Sequence, residues 1–447
     1  MEDNRDNMSL NPVIENGIKR RADIATIIIF LCLIFVLAVW FWVIPDNKFS
    51  EDENRSLQQM PESSIENLFS GRFAISMRNY CADQFPFRDS FVGAKTLISY
   101  AFLINENKGA VIAKNDYIIQ RFDIYSEYTI AEKSAQELGG NLAFSENMLN
   151  IRNNCKYINE FYKNFEALYR DSDKDSDNVD NPANFRAVPH MFIFAVPPRK
   201  IDVMTNKLPA FFPTDHNEIY FDELNQNINK DIYFDLTNIM QSKNDEYIYY
   251  KTDHHWTTLG AYYAYAALGE KMGYTPIQRD GFTIEIASDN FYGITWSKSG
   301  AKWTSPDIIE YYRTPDDEKL FKTEIRNQSN PVEFSAFYDR EKLNTKDKYA
   351  SFLGGINSHT SVWKTINSQP PPYQSKKRVK LLIIMDSFGQ CLVPFLAQHY
   401  DIEIIDLRFF NDNIYDFIKE NEIANVLILQ NMENLSTQNN LIKLTRK

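Results

Sequence analysis

Between Ile24 and Ile44 the chain reads IATIIIFLCLIFVLAVWFWVI without one charged side chain, and no other feature limits its architecture so strongly. A helix of this length, rising about 1.5 Å per residue, matches the roughly 30 Å hydrocarbon core of a bilayer. The segment reads as a transmembrane span. Lys19, Arg20 and Arg21 precede it, whereas the following segment mixes Asp46, Lys48, Glu51, Asp52 and Glu53. Basic residues are retained on the cytoplasmic side, so residues 1–23 are expected in the cytoplasm and the main domain outside the cell membrane. Trp40 and Trp42 stand at the outer end, where indoles favour the interface. A cleaved signal peptide needs a shorter apolar core and a small-residue cleavage site, and the stretch from Trp40 to Pro45 offers none.

The rest of the chain has the makings of a globular domain, since the 447 residues are 44% hydrophobic and 14% aromatic. A formal net charge of -12 argues against a nucleic-acid partner, which needs a surface dominated by Lys and Arg. Cys32 lies in the span, leaving Cys81, Cys155 and Cys391 outside with no zinc or redox spacing. Stability must therefore come from apolar burial rather than from a disulfide framework. The expected organisation is a cytoplasmic tail at 1–23, the span at 24–44, a tether at 45–75 and an α/β domain at 76–447. Within that domain, residues 282–368 are polar and aromatic with no clear period, and read as a long insertion. Asp171, Asp173 and Asp175 alternate like calcium-loop ligands. Ser176 replaces the turn glycine and Pro182 stands where a bidentate Glu is required, so a solvated loop is the better reading.

Apolar residues at helical spacing from Ser145 to Tyr169, among them Ile151, Cys155, Ile158 and Phe165, predict a helix with one buried face. Short apolar, β-branched runs predict strands at His190–Val196, Asp231–Phe234, Tyr247–Tyr250, Val379–Ile384, Ile402–Ile405 and Asn425–Leu429. Helix-sized segments, Gln390–His399 and Ile414–Glu422, separate the last three. That alternation implies an α/β fold built on a mainly parallel sheet.

Two segments carry residue types fit for chemistry. In Leu381-Leu-Ile-Ile-Met-Asp386-Ser387-Phe-Gly389 an apolar strand ends in a small polar turn, the place where open α/β sheets hold catalytic groups. A serine there projects its hydroxyl above the sheet, although Asp386 and Ser387 are also ordinary helix caps. The second segment is Asp253-His254-His255-Trp256-Thr257-Thr258, ahead of a helical stretch from Leu259 to Leu268. A serine nucleophile needs a base, and the base needs a carboxylate to fix its tautomer. If the segment is extended, Asp253 and His255 face one way and His254 the other, which makes His255 the base. Thr257 or Thr258 would cap the helix. Asp-His-His also offers metal ligands, but no second His or Cys cluster completes a shell, and no cofactor is required.

These segments resemble the DHHW protein family and the Asp-x-His-Trp motif of the alginate O-acetyltransferases. The similarity extends through Phe194-Ala-Val-Pro197-Pro-Arg-Lys200, Leu208-Pro209, Phe234-Asp-Leu236, Phe352-Leu-Gly-Gly355, Pro394-Phe-Leu396 and Ile405-Asp-Leu-Arg408. Near the anchor it takes in Glu53-Asn-Arg55 and Asp83-Gln-Phe-Pro-Phe-Arg88. What the resemblance implies is an SGNH-hydrolase-like (flavodoxin-like) parallel sheet flanked by helices, with Asp253, His255 and Ser387 as a triad. It also implies O-acyl transfer, O-acetyl above all, to a cell-surface or secreted polysaccharide, with a membrane-bound O-acyltransferase partner as donor. A deacetylase using the same residues and an inactive glycan-binding scaffold are the alternatives. Met385 replaces the Gly of the usual Gly-Asp-Ser signature, so the oxyanion or substrate-binding groups are expected among the Ser387 amide, Gly355, Asn357 and Asp386.

Overall fold

The computed structural model describes residues 12–53, 55–121, 142–172, 190–212, 218–326, 330–365 and 378–446. The acidic run's Asp173 and Asp175 lie outside the described residues. The chain forms two compact units, Met1–Ile98 and Ser99–Lys447.

In the first unit, helix α1 (Pro12–Val43) includes the whole apolar run except Ile44. Its side chains from Lys19 to Val43 are almost all exposed, as a membrane span requires and a core helix does not. The two near-anchor motifs meet each other. Arg55 grips Asp83 through both guanidinium ends at 2.5 and 2.9 Å and also reaches Glu53 at 2.7 Å, while Arg88 binds Glu53 at 3.0 Å. The Arg55 hydrogen bond holds the Asp83 carboxyl down at about 2.

The second unit is built on an eight-stranded sheet. Its strands are β1 (Met191–Val196), β2 (Tyr233–Asp235), β3 (Phe321–Ile325), β4 (Val332–Ser335), β5 (His359–Lys364), β6 (Lys380–Met385), β7 (Asp401–Ile405) and β8 (Asn425–Leu429). Their spatial order is β4-β3-β5-β7-β6-β8-β1-β2. The strands from β7 through β2 in that order run parallel, and β5, β3 and β4 extend the sheet antiparallel. Residues within the expected insertion thus supply three of the eight strands.

Alternation along the strands divides the core between the two faces. Leu381, Ile383, Met385, Ile402, Ile404, Leu427 and Leu429 face one side, against α3 (Thr258–Met272). Leu382, Ile384, Ile405, Val426 and Ile428 face the other, against Ile151, Cys155, Ile158, Phe161 and Phe165 of α2 (Leu142–Ser172). Each fully buried Ile, Leu or Phe contributes about 1.5–3 kcal/mol relative to exposure. Register sets the carboxyl ends of the parallel strands level, with Met385 opposite Leu429, Leu429 opposite Ala195 and Ile384 opposite Ile405. Polar residues that follow these positions therefore gather at one edge. One expected strand is absent: Tyr247–Tyr250 forms only an isolated bridge, Tyr249 to Trp256. Its chain turns back on itself instead of joining a ladder. The stretch Gln390–His399 carries only a short helix, Val393–Leu396.

Candidate active site

Ser387 opens a single 3-10 turn directly after β6. Asp386 shapes that turn: its Oδ1 accepts from the Phe388 amide at 2.9 Å, and its Oδ2 accepts from the Asn431 amide at 2.6 Å and Asn434 Nδ2 at 3.0 Å. With three donors on one buried carboxylate, the backbone beside Ser387 has little freedom. Burial raises the Asp386 pKa all the same.

The second arm is the 250–257 turn. Thr257 caps α3, its Oγ1 accepting from the Gly260 amide at 3.3 Å. Just before that cap, His255 Nδ1 lies 2.6 Å from Asp253 Oδ1, and His255 Nε2 lies 2.7 Å from Ser387 Oγ. Asp253 and His255 are buried, while Ser387 remains partly exposed. Asp253 also accepts from the amides of His255 and Ile294, each at 3.0 Å. Burial works against the Asp253 charge, but the neighbouring imidazoles of His254 and His255 and the His255 donors outweigh it and hold the carboxyl well below the usual range. The Trp256 indole ties the two arms together by donating to the Phe388 carbonyl at 2.9 Å. The Tyr349 ring stacks on His255 at 4.2 Å, and its hydroxyl donates to the Ser387 carbonyl at 3.1 Å.

Alternation in an extended strand does not explain why His255 rather than His254 reaches Ser387. The segment is a tight turn, and the His254 ring sits 3.9 Å from the His255 ring. Its Nδ1 comes within 3.5 Å of Asp253 Oδ1. Burial, reinforced by His255, lowers the His254 pKa to about 3. Asp253, His254 and His255 offer donor atoms within 4.8 Å of one another, but both His255 ring nitrogens already face Asp253 and Ser387.

The turn is suspended between two buried side chains, Lys200 and Asp307, to neither of which the sequence assigns a role. Lys200 Nζ approaches the carbonyls of Ile118 at 2.6 Å, Tyr250 at 2.9 Å, Lys251 at 3.2 Å and Asp253 at 2.6 Å. Asp307 accepts from the amides of Lys251 and Thr252, each at 2.7 Å, and from the hydroxyls of Thr252 and Tyr247, each at 2.5 Å. Carbonyls point to the cation and amides to the carboxylate, so the turn is held from both sides. Lys200 was legible only as part of Val196-Pro197-Pro198-Arg199-Lys200; Asp307 and Tyr349 lie where the sequence shows no period.

Gly355 and Asn357 lie in the turn before β5, at the same sheet edge as Ser387 but two strands from β6. Asn357 Nδ2 donates to the Gly355 carbonyl at 3.1 Å.

Gly293 marks another close approach. A Cβ there would stand 2.3 Å from both Cβ and Oδ2 of Asp253. Gly293→Ala is therefore expected to displace the carboxylate, destabilising the fold by about 1–3 kcal/mol. Thermal unfolding of the variant checks this, and an unchanged melting temperature would show that the added methyl is accommodated without moving Asp253.

The pattern Asp-His-His-Trp thus sits on an α/β sheet edge beside a serine. Residues 215–405 match the DHHW protein family. The DHHW segment holds Asp253, His255, Trp256, Asp307, Tyr349 and Ser387, while Lys200 falls outside it. The chain is similar to a DHHW family protein from Eubacterium siraeum at 19% identity, over 76% of this chain and 96% of that one, with a TM-score of 0.50. It is also similar to Bacillus cereus PatB1 with a sulfonyl adduct, at 21% identity over 66% and 92% of the two chains and a TM-score of 0.49. A further similar structure is the O-acetyltransferase domain of Pseudomonas putida AlgJ, at 14% identity over 76% and 99%, with a TM-score of 0.38. No curated protein matches the chain in sequence. The expected DHHW resemblance is borne out, as is the α/β fold with a largely parallel sheet behind an N-terminal apolar helix.

Proposed function

We propose that this protein is a membrane-anchored, extracytoplasmic O-acyltransferase that moves acyl groups, acetyl above all, onto hydroxyls of a cell-surface or secreted polysaccharide. The observation that carries the reading is the continuous chain from Asp253 Oδ1 to His255 at 2.6 Å and from His255 to Ser387 Oγ at 2.7 Å. In the first half-reaction Ser387 Oγ attacks the acyl carbonyl, and His255 Nε2 takes its proton and returns it to the departing alcohol. In the second, a sugar hydroxyl gives its proton to His255 and attacks the Ser387 ester; the bond from the acyl carbon to Ser387 Oγ breaks, and His255 returns the proton to that oxygen. Asp253 keeps the imidazole in the tautomer whose Nε2 accepts. The Ser387 amide, at the start of its turn, is the proposed oxyanion donor; Gly355 and Asn357 are secondary candidates.

The apolar helix favours transfer. An enzyme that receives acyl groups from a membrane-bound O-acyltransferase gains from being tethered, because tethering raises effective concentration towards the millimolar range. The basic cluster Lys19–Arg21 supports a cytoplasmic N-terminus. Protease added to intact cells is expected to digest the main domain; protection until lysis would reverse the topology.

For the chemistry, the purified protein is incubated with an activated acetyl ester and an oligosaccharide. An acetyl group on Ser387 followed by its capture on the sugar is the expected result. Hydrolysis alone, with glycan O-acetylation rising in cells that lack the protein, would establish a deacetylase instead. Failure to form any Ser387 ester would leave a glycan-binding scaffold.

A further inference from the structure

Helix α1 does not end in open solvent. Two ring contacts tie its outer end to segments of the same unit: Trp40 meets Phe87 edge-on at 4.8 Å, and Phe41 meets Tyr80 at 5.7 Å. Ile44 and Pro45 share a cavity of about 220 Å³ with Phe85, Pro86 and Phe87. The Arg55–Asp83 and Arg88–Glu53 ion pairs brace the same segments, so they are fixed beside the helix and not hung from a loose tether. Trp40 lies four residues before Ile44, or about 6 Å of helix rise. Phe87 is therefore held at a depth where the span itself is still apolar.

The side chains around it are apolar and uncovered. Phe85 and Phe87 are exposed, as are Phe91 and Ile98 at 52% and 59%. On the helix Arg88–Ala101, Phe91, Ala94 and Ile98 recur at i, i+3 and i+7, which places them on one face, with Lys95 at its border. The short helix Ile65–Phe69 repeats the arrangement, with Ile65, Leu68 and Phe69 all exposed, Phe69 at 90%. Facing water, so much uncovered apolar surface is unusual for a soluble protein. At the headgroup level it is what an interfacial helix presents, with a lysine stem lying along the apolar face and its ammonium in the polar layer.

We propose that residues 65–98 form an interfacial collar around the outer end of α1, and that the lipid bilayer is what covers their apolar face. The collar rests on reading α1 as a membrane span. Its commitment to lipid rather than to another protein follows from continuity with that span: the rings of the collar touch the very residues that sit at the membrane boundary.

The test uses the full chain with Cys32→Ala and Cys81→Ala, since Cys155 and Cys391 are buried. One copy is reconstituted per phosphatidylcholine/phosphatidylglycerol nanodisc, which excludes a second copy as the partner. Phe91→Cys, Ile98→Cys and Val36→Cys are labelled singly with an environment-sensitive fluorophore and quenched by lipids carrying a nitroxide at a shallow or a deep acyl position. The proposal expects loss of fluorescence with the shallow quencher at 91 and 98 and with the deep quencher at 36. Quenching at 36 alone would overturn the collar and leave the span intact. No quenching at 36 would remove the span and the collar together. Agreement between 91 and 98 guards against a local disturbance by one label.

Discussion

Ser387→Ala and His255→Ala are each expected to abolish acyl transfer while the fold survives. Where nucleophile and base act as a unit, losing either costs on the order of 10⁶-fold in kcat, and losing both costs little more. The double variant should therefore be no worse than either single one, which a merely additive set of contacts would not give. Asp253→Asn should cost on the order of 10⁴-fold, because an amide at that position favours the wrong imidazole tautomer. His254→Ala is the contrast. Its ring packs against His255 and Phe388, so removing it should loosen the base without removing it, and much of the activity should remain. Rates measured alongside circular dichroism separate these outcomes. If folded His254→Ala is as inactive as His255→Ala, the base is wrongly assigned; if folded Ser387→Ala still forms an acyl-enzyme, the nucleophile is.

Where the sequence was legible, burial made it so. The parallel strands β6, β7 and β8 are continuous apolar runs because both of their faces are covered, and a pattern of that kind can be read without knowing the neighbours. The α2 stripe was legible for the same reason, with Ile151, Cys155, Ile158 and Phe165 all buried. The strands between 321 and 364 were not, because pairing with a distant partner defines them. β3 alternates Phe321, Thr323 and Ile325 inward, but Lys322 and Glu324 on the other face and an interior Thr blur its period. The candidate site divides in the same manner. Ser387 and His255 announce themselves by residue type and local turn, whereas Asp307 is an ordinary aspartate until the fold places two amides and two hydroxyls on it. The turn geometry at 253–255 was also out of reach, since Lys200 contributes to it from more than 50 residues away.

Lys200→Met is expected to have the second large effect, on stability and on rate together. It removes the donor from four carbonyls and replaces a buried ammonium with a side chain that makes no hydrogen bond to them. Each buried acceptor left unmatched costs about 1–3 kcal/mol. Against a total stability of about 5–15 kcal/mol, the variant should unfold at a clearly lower temperature. The folded fraction should also be slow, because the Asp253 carbonyl is one of the four acceptors and the carboxylate that orients His255 belongs to the same residue. Lys200 further predicts a pH dependence in which activity and stability part company. Burial lowers its pKa to about 8 from the ordinary 10.5, even though Asp307 and then Asp253 favour the charged form. Above pH 8 the folded chain releases this proton, and the neutral amine, with one N–H fewer and no positive charge, holds the surrounding carbonyls less firmly, so activity should fall. Tyr250 and Tyr349 are pushed well above their ordinary value and Cys391 to about 12, so they do not titrate in that window. The contribution of Lys200 to stability has the opposite sign: between pH 8 and 10.5 the unfolded chain binds more protons than the folded one, and stability from this group rises with pH. A rate profile and a melting profile taken between pH 7 and about 10, with Lys200→Met as the reference lacking the group, test both halves. A wild-type rate that stays level to pH 10 in folded protein would mean that the charge on Lys200 does not hold the Asp253 turn.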